Sequence, residues 1–203
     1  MKHKSNILIV LGILMILAAL GIFGYNQYED QSVNQQNEVI LETLEKKQQK
    51  DMTALYRQYP NIPMPVVEID GLNYIGTIKA PSIDLNTPIL ATYDAATMEV
   101  TPALYSGTAY QKNMLMLGHN YQSCFGKLAN IKIGDEVLFI DNHKNEFYYE
   151  VIDYLIINEN EFDKILSQED PWDFTMFTCT WSGYDRVVIR CKLVKDIPAM
   201  MNM

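Results

Sequence analysis

Two side chains in this sequence stand where a nucleophile and its proton-transfer partner would be needed. Cys179 ends the apolar run 174–179 and precedes a polar stretch, so its thiol is expected at a strand end, where it is more exposed than in mid-strand. His119 follows an apolar run and a glycine, which predicts a position at the rim of a cleft. A thiolate can attack a peptide carbonyl while an imidazolium protonates the leaving amine, which is acyl transfer through a thioester.

Arg186 is the cation predicted to accompany these two groups. It lies seven positions after Cys179, across a turn that contains Gly183, so a hairpin would place it nearly opposite the thiol. Arg190 would lie about 13 Å further along the strand, at about 3.3 Å per residue. A guanidinium fixed beside the thiol can stabilise the oxyanion or hold the substrate carbonyl, and such a trio needs no metal.

Each of these residues also has an inert interpretation. Cysteine is among the most buried residue types, so Cys179 could be a packed side chain. His119 and Arg186 could be surface residues without a role. The other two thiols, Cys124 and Cys191, are predicted to be passive. Cys124 follows His119 closely enough to be a second reactive thiol, but a core or rim position is favoured.

The composition limits the classes of partner and cofactor. The chain has 203 residues and a net charge of −9, which argues against nucleic acid as a partner because phosphate binding needs a basic patch. The three cysteines and three histidines are scattered without metal-site spacing, and we assign no acidic cluster to calcium. No metal and no cofactor are therefore expected.

Strands must position these residues, since helical patterns are scarce after residue 66. Apolar and β-branched runs bounded by turn residues predict strands at 74–79, 87–92, 113–117, 136–140, 147–157, 174–179 and 186–194. Helical turns are expected near 125–131 and 159–167, and residues 141–145 are typical of a hairpin turn. Many short strands separated by turns predict an all-β, mainly β fold, a closed β-barrel with short helices.

The N-terminal segment predicts a membrane anchor. Ile7–Phe23 contains no charged residue and no proline, and extended to Tyr25 it is long enough to cross a bilayer at about 1.5 Å per residue. A cleaved signal peptide is the alternative, but no A-x-A site follows Gly24. Lysines precede the span and acidic residues follow it, so we expect a single-pass protein of the cell membrane with a cytoplasmic N-terminus and an extracellular domain.

The same patterns divide the chain into three parts. Residues 1–25 are expected to form the cytoplasmic tail and anchor, with the membrane contact through 7–25. Residues 26–65 are polar and loosely helical in spacing, which predicts a partly helical spacer that holds the domain off the membrane and ends at two prolines. Residues 66–203 are expected to form the β-barrel domain that carries the candidate site.

Several motifs, in the right order, resemble the sortase family. Thr175–Cys179 (TMFTC) resembles the family's TLxTC motif, with Met176 in place of leucine. The segment LGHN at 117–120 is similar to the one that carries the family's catalytic histidine. YIGTIKAP at 74–81 resembles its opening strand, and FGKL followed by IGDEV, within 125–137, resembles the segment after the histidine. The resemblance covers nearly the whole domain after the spacer.

The resemblance implies a membrane-anchored cysteine transpeptidase, a thiol protease-like enzyme of a Gram-positive-type surface. It would cut an LPxTG-like sorting signal between Thr and Gly through a thioester and pass the acyl group to an amine. Expected partners are surface proteins with a C-terminal sorting signal, and an amine of a peptidoglycan precursor or a pilin. His119, Cys179 and Arg186 correspond to the catalytic positions. Thr178 and Trp181 are the candidates for lining the substrate groove.

One departure and two alternatives remain. The loop between Cys179 and Arg186 is short compared with many sortases, which favours a class B- or class D-like relative. Trp172 is expected to pack in the core.

An L,D-transpeptidase would need Ser-x-Gly-Cys-x-Arg, whereas residues 178–180 read Thr-Cys-Thr. A catalytically inactive anchored β-domain that binds cell-envelope partners would leave His119 and Arg186 pointing away from Cys179.

Overall fold

The chain folds into many short strands and few helices. The structure, a computed structural model, describes residues 2–47, 55–95, 97–98, 101–167 and 172–199. Its strands are β1 (Val67–Ile69), β2 (Leu72–Ala80), β3 (Leu85–Leu90), β4 (Ala103–Ser106), β5 (Met114–Leu117), β6 (Glu136–Asp141), β7 (Glu146–Asn158), β8 (Phe174–Cys179) and β9 (Asp185–Ile197). Its helices are α1 (Lys2–Lys47), α2 (Leu55–Gln58) and α3 (Asp163–Leu166), with 3-10 turns at Pro81–Ile83, Gly126–Asn130 and Glu159–Glu161.

The strands form one sheet in the order β1-β2-β3-β4-β5-β8-β9-β7-β6, and β6 pairs again with β2. That last pairing closes the eight strands from β2 to β9 into a ring, with β1 outside it. Neighbouring strands run antiparallel, except β3 with β4 and β5 with β8, which are parallel. The predicted mainly β fold with short helices is therefore confirmed.

The predicted strands are all present, and β8 has the predicted bounds. The sequence does not predict β1 or β4, because they are only three and four residues long and β4 presents an irregular pattern of burial. The hairpin turn at 141–145 is confirmed. There the carboxylate of Asp141 accepts hydrogen bonds from the backbone N–H groups of His143 and Asn145.

Strands β5 and β8 are buried on both faces, which explains why their sequences are apolar without alternation. Met114 and Phe174 point into the main core inside the ring. Leu115 and Phe177 point the other way, into a second cluster that includes Ile165 of α3. Each fully buried side chain of this size contributes about 1.5–3 kcal/mol by leaving water. The strand ends that carry the candidate site are therefore firmly held.

Helix α1 continues without a break from the apolar N-terminal segment into the region predicted as a spacer. Its first half is long and apolar enough to cross a membrane, with mean hydropathy 1.5 in the candidate span and no residue of that window buried by protein. Leu14 and Leu17, for example, are more than half exposed. Helix α1 is thus a candidate membrane span.

The second half of α1 lies on the domain. Val33, Asn37 and Leu44 are buried there, and Leu44 packs in a cluster with Tyr74 and other side chains of the sheet. The helical character expected for this part of the spacer is confirmed as far as Lys47. The apolar side chains of this half find partners on the sheet. Residues 48–54 of the predicted spacer lie outside the described residues.

Candidate active site

The parallel pairing of β5 with β8 brings His119 and Cys179 to the same edge of the sheet. Leu117 of β5 pairs with Phe177 of β8, so the residues two positions further along stand at matching register. Alternate residues of a strand point to the same face. Cys179 therefore faces the same side of the sheet as Phe177, and His119 lies just beyond the end of β5. All four side chains line one cleft.

Two hydrogen bonds hold these strand ends together beyond the regular ladder. The Thr178 hydroxyl donates to the carbonyl of Gly118 at 2.8 Å, and the Asn120 amide Nδ2 donates to the carbonyl of Thr180 at 3.2 Å. The first bond lies just before the His119–Cys179 level and the second just after it. The backbone N–H of Gly118 also donates to the carbonyl of Phe177 at 3.2 Å. The relative position of the two candidate groups is thus fixed on both sides.

The loop after His119 packs closely against Gly118, where a larger residue would force its neighbours to shift. A Cβ atom at Gly118 would lie 3.0 Å from the Sγ of Cys124 and 3.0 Å from the ring of Phe125. The loop is closed by a hydrogen bond from the N–H of Phe125 to the carbonyl of His119. The ring of His119 lies 5.4 Å from that of Tyr121. These contacts hold the backbone that carries the imidazole.

The hairpin between β8 and β9 places Arg186 directly across from Cys179. The two residues are Cα partners at the end of the antiparallel pair, as the seven-residue spacing predicts. The turn is closed by Gly183, which has a φ of +80°, and by the hydrogen bond from its N–H to the carbonyl of Thr180. Left-handed backbone of this kind favours glycine. The predicted opposition of Arg186 and Cys179 is therefore present in the structure.

The guanidinium of Arg186 is held by its own turn and by one acidic residue. Its Nη1 donates to the carbonyls of Gly183 and Asp185, at 2.9 and 3.1 Å. Its Nη2 lies 3.8 Å from the Oε2 of Glu159. Because that ion pair is long and Glu159 is half exposed, it stabilises the protein little. Both side chains line the cleft of Cys179.

The cleft has a volume of about 460 Å³, and one of its walls is aromatic. Tyr105 lies 5.7 Å from Phe162 and 6.1 Å from Phe177, ring centre to ring centre, and Tyr93 lies 6.1 Å from Tyr105. Such a wall suits an apolar segment of a ligand, and the same cleft is also lined by His119, Cys179 and Arg186. The sequence does not single out Tyr105, because it lies on the unpredicted strand β4.

Burial separates Cys179 from the other two thiols, and all three cysteines lie in described residues. Cys179 is partly exposed, whereas Cys124 and Cys191 are buried. Burial raises the pKa of the Cys124 thiol to about 12 and raises that of Cys191 further. Both thiols therefore stay neutral at physiological pH, as expected for passive core residues.

The two residues predicted to line the substrate groove lie in different places. Thr178 lines the cleft but is only 3% exposed, with its hydroxyl committed to Gly118. Trp181 is 87% exposed and lies in a neighbouring shallow cleft against Asp30 of α1. Trp172 is buried, as expected, and its indole N–H donates to the carbonyl of Ser167. Glu159, which lines the cleft, was not predicted because nothing local in its sequence marks it.

The arrangement can support nucleophilic acyl transfer. A partly exposed thiol, an imidazole and a guanidinium line the same cleft, and these are the group types needed for attack, proton transfer and charge stabilisation. Within the described parts of the chain, no three His, Cys, Asp or Glu side chains are grouped so that they could hold a metal ion.

Comparison with known proteins identifies the architecture. A family profile described as the Sortase domain matches residues 78–194. Sortase A of Listeria monocytogenes is 21% identical, with a TM-score of 0.54 over 64% of this chain and 92% of that chain. A sortase D5 transpeptidase of Clostridium perfringens is 21% identical, with a TM-score of 0.58 over 81% and 99%. Sortase C of Streptococcus pneumoniae is 19% identical, with a TM-score of 0.57 over 86% and 98%. At these identities the structural likeness concerns the fold. The comparison with curated proteins gives no match.

Proposed function

Because this chain belongs to the sortase family, we propose that it is a cysteine transpeptidase in which Cys179 is the nucleophile, His119 the acid and base, and Arg186 the charge-stabilising group. One observation carries the proposal. His119 and Cys179 each lie two positions beyond the last paired residues of the parallel strands β5 and β8, and Arg186 is the Cα partner of Cys179 in the hairpin.

The first half of the reaction forms a thioester. The Cys179 thiolate attacks the carbonyl carbon of the scissile peptide, and the carbonyl oxygen becomes an oxyanion. The oxyanion collapses, the C–N bond breaks, and the leaving amine takes a proton from the imidazolium of His119. The acyl group is now bound to the Sγ of Cys179, and His119 is neutral.

The second half restores the enzyme. An acceptor amine attacks the thioester carbon while neutral His119 accepts the proton that the amine loses. The C–S bond breaks, and the thiolate and imidazolium form again. No oxidant or reductant is consumed. Arg186 stands across from Cys179 in the hairpin and lines the same cleft, so its positive charge stabilises the oxyanion in both halves of the reaction we propose.

The substrate we propose is an LPxTG-like sorting signal at the C-terminus of a surface protein, cut between Thr and Gly. The acceptor is an amine of a peptidoglycan precursor or of a pilin subunit. The aromatic wall of Tyr105, Phe162 and Phe177 supports an apolar segment in the signal. A short hairpin between Cys179 and Arg186 continues to favour a class B- or class D-like enzyme.

We further propose that α1 anchors the enzyme in a Gram-positive cell membrane through residues 7–25, in a single pass. The N-terminus is cytoplasmic and the domain from residue 66 is extracellular. The apolar window of the helix, which no protein surface covers, supports the anchor. The lysines before the span and the acidic residues after it support the orientation.

The experiment that tests the function uses the full-length chain in lipid nanodiscs, because part of α1 packs on the domain. The protein is incubated with sorting-signal peptides and several amines, and the products are read by mass spectrometry. We expect cleavage at one bond, an amine-linked product and an acyl group on Cys179. The variant Cys179→Ala should lose all three, while Cys191→Ala, which removes a buried thiol, should retain them.

The opposite result would favour the inactive anchored domain. In that case no peptide is cleaved with any amine, and Cys179 of the folded protein also fails to react with a small alkylating reagent.

A further inference from the structure

Helix α1 is bonded to the loop that follows the candidate base, His119. The Asp30 carboxylate Oδ1 accepts a hydrogen bond from the backbone N–H of Gln122 at 3.2 Å. About two turns further along the helix, the Asn37 amide Nδ2 donates to the carbonyl of Ser123 at 3.3 Å. Both bonds join α1 to the loop that follows His119. The direction of the helix relative to the cleft is therefore fixed.

The length of helix between the apolar segment and this loop is short. From Tyr25, where the proposed span ends, to Asp30 is five residues, or about 7.5 Å at about 1.5 Å per residue. The headgroup layer on one side of a bilayer is about 5–8 Å thick, the difference between the full bilayer and its hydrocarbon core. The loop after His119 would thus lie at the outer boundary of the headgroups.

The turn between β8 and β9 is at the same level and presents aromatic side chains to solvent. Trp181 is 87% exposed and Tyr184 is 71% exposed. Trp181 lines a shallow cleft together with Asn26, the first residue after the proposed span, and Asp30. Side chains with an apolar ring and a polar N–H or O–H are enriched where bilayer and water meet.

We propose that the turn 180–184 is a membrane contact, in which Trp181 and Tyr184 sit among the lipid headgroups of the bilayer that α1 crosses. The inference rests on the proposed membrane anchor and does not depend on the transpeptidase chemistry. Its consequence is that His119 and Cys179, which lie within two residues of Asn120 and Trp181 along the chain, are held close to the membrane surface. A substrate that is itself tethered to the bilayer then reaches the thiol without leaving the surface.

The side chains of the turn favour contact with a bilayer surface that carries no net charge. The segment Thr180–Tyr184 contains no lysine or arginine, and the facing residues of α1 include Glu29 and Asp30. An anionic surface would therefore not attract this turn. We expect the contact to form fully on phosphatidylcholine, and not to be strengthened by low salt or by added anionic lipid.

Tryptophan fluorescence in defined vesicles tests the contact. Full-length protein is reconstituted in phosphatidylcholine vesicles that carry a nitroxide quencher near the headgroups or near the acyl-chain ends. The chain has two tryptophans, so Trp172→Phe reports Trp181, and Trp181→Phe reports the buried Trp172. We expect a roughly twofold or greater loss of Trp181 emission with the shallow quencher, as for an interfacial side chain, and a small loss with the deep one. Trp172 should be quenched by neither.

Two readouts separate the possible failures. Flotation of the vesicles measures the anchor, using the full-length protein with and without residues 2–25. If the protein floats but Trp181 is quenched only by an aqueous quencher, the proposed contact is overturned while the anchor stands. If the protein does not float, anchor and contact both fall. Peptide cleavage is measured separately, so its loss bears on the transpeptidase proposal alone. Should Trp172→Phe fail to fold, the difference between wild type and Trp181→Phe gives the Trp181 signal.

Discussion

The hydroxyl of Thr178 donates to the carbonyl of Gly118 at 2.8 Å and so joins the strand end that carries Cys179 to the one that carries His119. The two residues are 60 positions apart in sequence. Thr178 is buried, so the bond is shielded from water. The residue expected to line a groove is therefore also a positioning residue for the proposed nucleophile and base.

Replacing Thr178 by valine should slow the reaction more than it weakens substrate binding. The variant removes the hydroxyl donor and leaves the carbonyl of Gly118 without this hydrogen bond. An unsatisfied buried group of this kind costs about 1–3 kcal/mol of folding free energy. Because the strand ends that carry Cys179 and His119 lose a bond that aligns them, we expect kcat to fall by about tenfold, or about 1.4 kcal/mol of barrier. Thr178→Ser keeps the hydroxyl and should retain most of the activity. Steady-state kinetics with an unchanged kcat for the valine variant would contradict a positioning role.

Removal of Arg186 should cost far more activity than removal of its acidic neighbour. Arg186→Ala should lower kcat/KM by about a hundredfold to a thousandfold, as for loss of an oxyanion-stabilising donor. Arg186→Lys should recover only part of it, because an ammonium lacks the planar fork. Glu159→Gln should change the rate by less than about fivefold, since a half-exposed ion pair is worth about 0–1 kcal/mol. A Glu159→Gln variant as damaged as Arg186→Ala would reverse this ranking.

Alkylation should distinguish the three thiols of the folded protein. Cys179 is partly exposed, whereas burial raises the pKa of Cys124 to about 12 and also raises that of Cys191. Iodoacetamide at neutral pH should therefore add one label to the native chain, and three after unfolding in guanidinium chloride. Cys179→Ala should take no label until it unfolds. Intact-mass spectra that show a native label on Cys124 would contradict the assignment.

Asn37 should matter to the loop after His119 although it lies on α1. It is buried, and its amide donates to the carbonyl of Ser123. Asn37→Ala should lower the free energy of unfolding by about 1 kcal/mol, the usual value of such a bond. Amide exchange in residues 121–124 should also become faster. Asn34→Ala is the matched control, because Asn34 is exposed and its amide donates within the helix to Glu38. Equal effects of the two variants would remove the proposed link.

Acid should weaken the contact between α2 and the end of β9. Partial burial opposes ionisation of Asp196, but hydrogen bonds from Arg57 and Tyr56 outweigh it and hold the pKa of that carboxyl below its usual range. A carboxylate with a lowered folded-state pKa adds stability above the unfolded value of about 3.9, and this is lost as the pH falls through the folded value.

The variant Asp196→Asn measures this contribution directly. We expect it to be less stable than wild type by about 1–2 kcal/mol between pH 5 and 7, because two hydrogen bonds to a charged group are weakened. The difference should shrink below about pH 4, where Asp196 becomes protonated in the unfolded chain and then in the folded one. Arg57→Gln should likewise reduce the change in the free energy of unfolding between neutral and acidic pH. Urea titrations at several pH values give the free energies, and a difference that stays constant down to pH 2 would refute the assignment.

The sequence alone predicts those features that depend on local interactions. The seven-residue spacing of Cys179 and Arg186 across a glycine turn predicts their opposition, because a hairpin's register follows from its turn. Alternating and apolar runs likewise predict most strands, and the charge-free N-terminal run predicts a candidate span. Short strands such as β4 are not predicted in this way, because four residues give too little pattern to detect.

The tertiary structure alone decided the features that depend on distant contacts. Nothing near His119 in the sequence says that β5 pairs in parallel with β8, since that pairing depends on burying both faces of each strand. Nor does the polar composition of residues 26–47 reveal that α1 lies on the sheet through Leu44 and on the loop through Asn37. The position of Trp181 beside α1, outside the cleft of Cys179, follows from that packing. Local propensity sets the strands and turns, whereas the burial of shared apolar surface sets which of them meet.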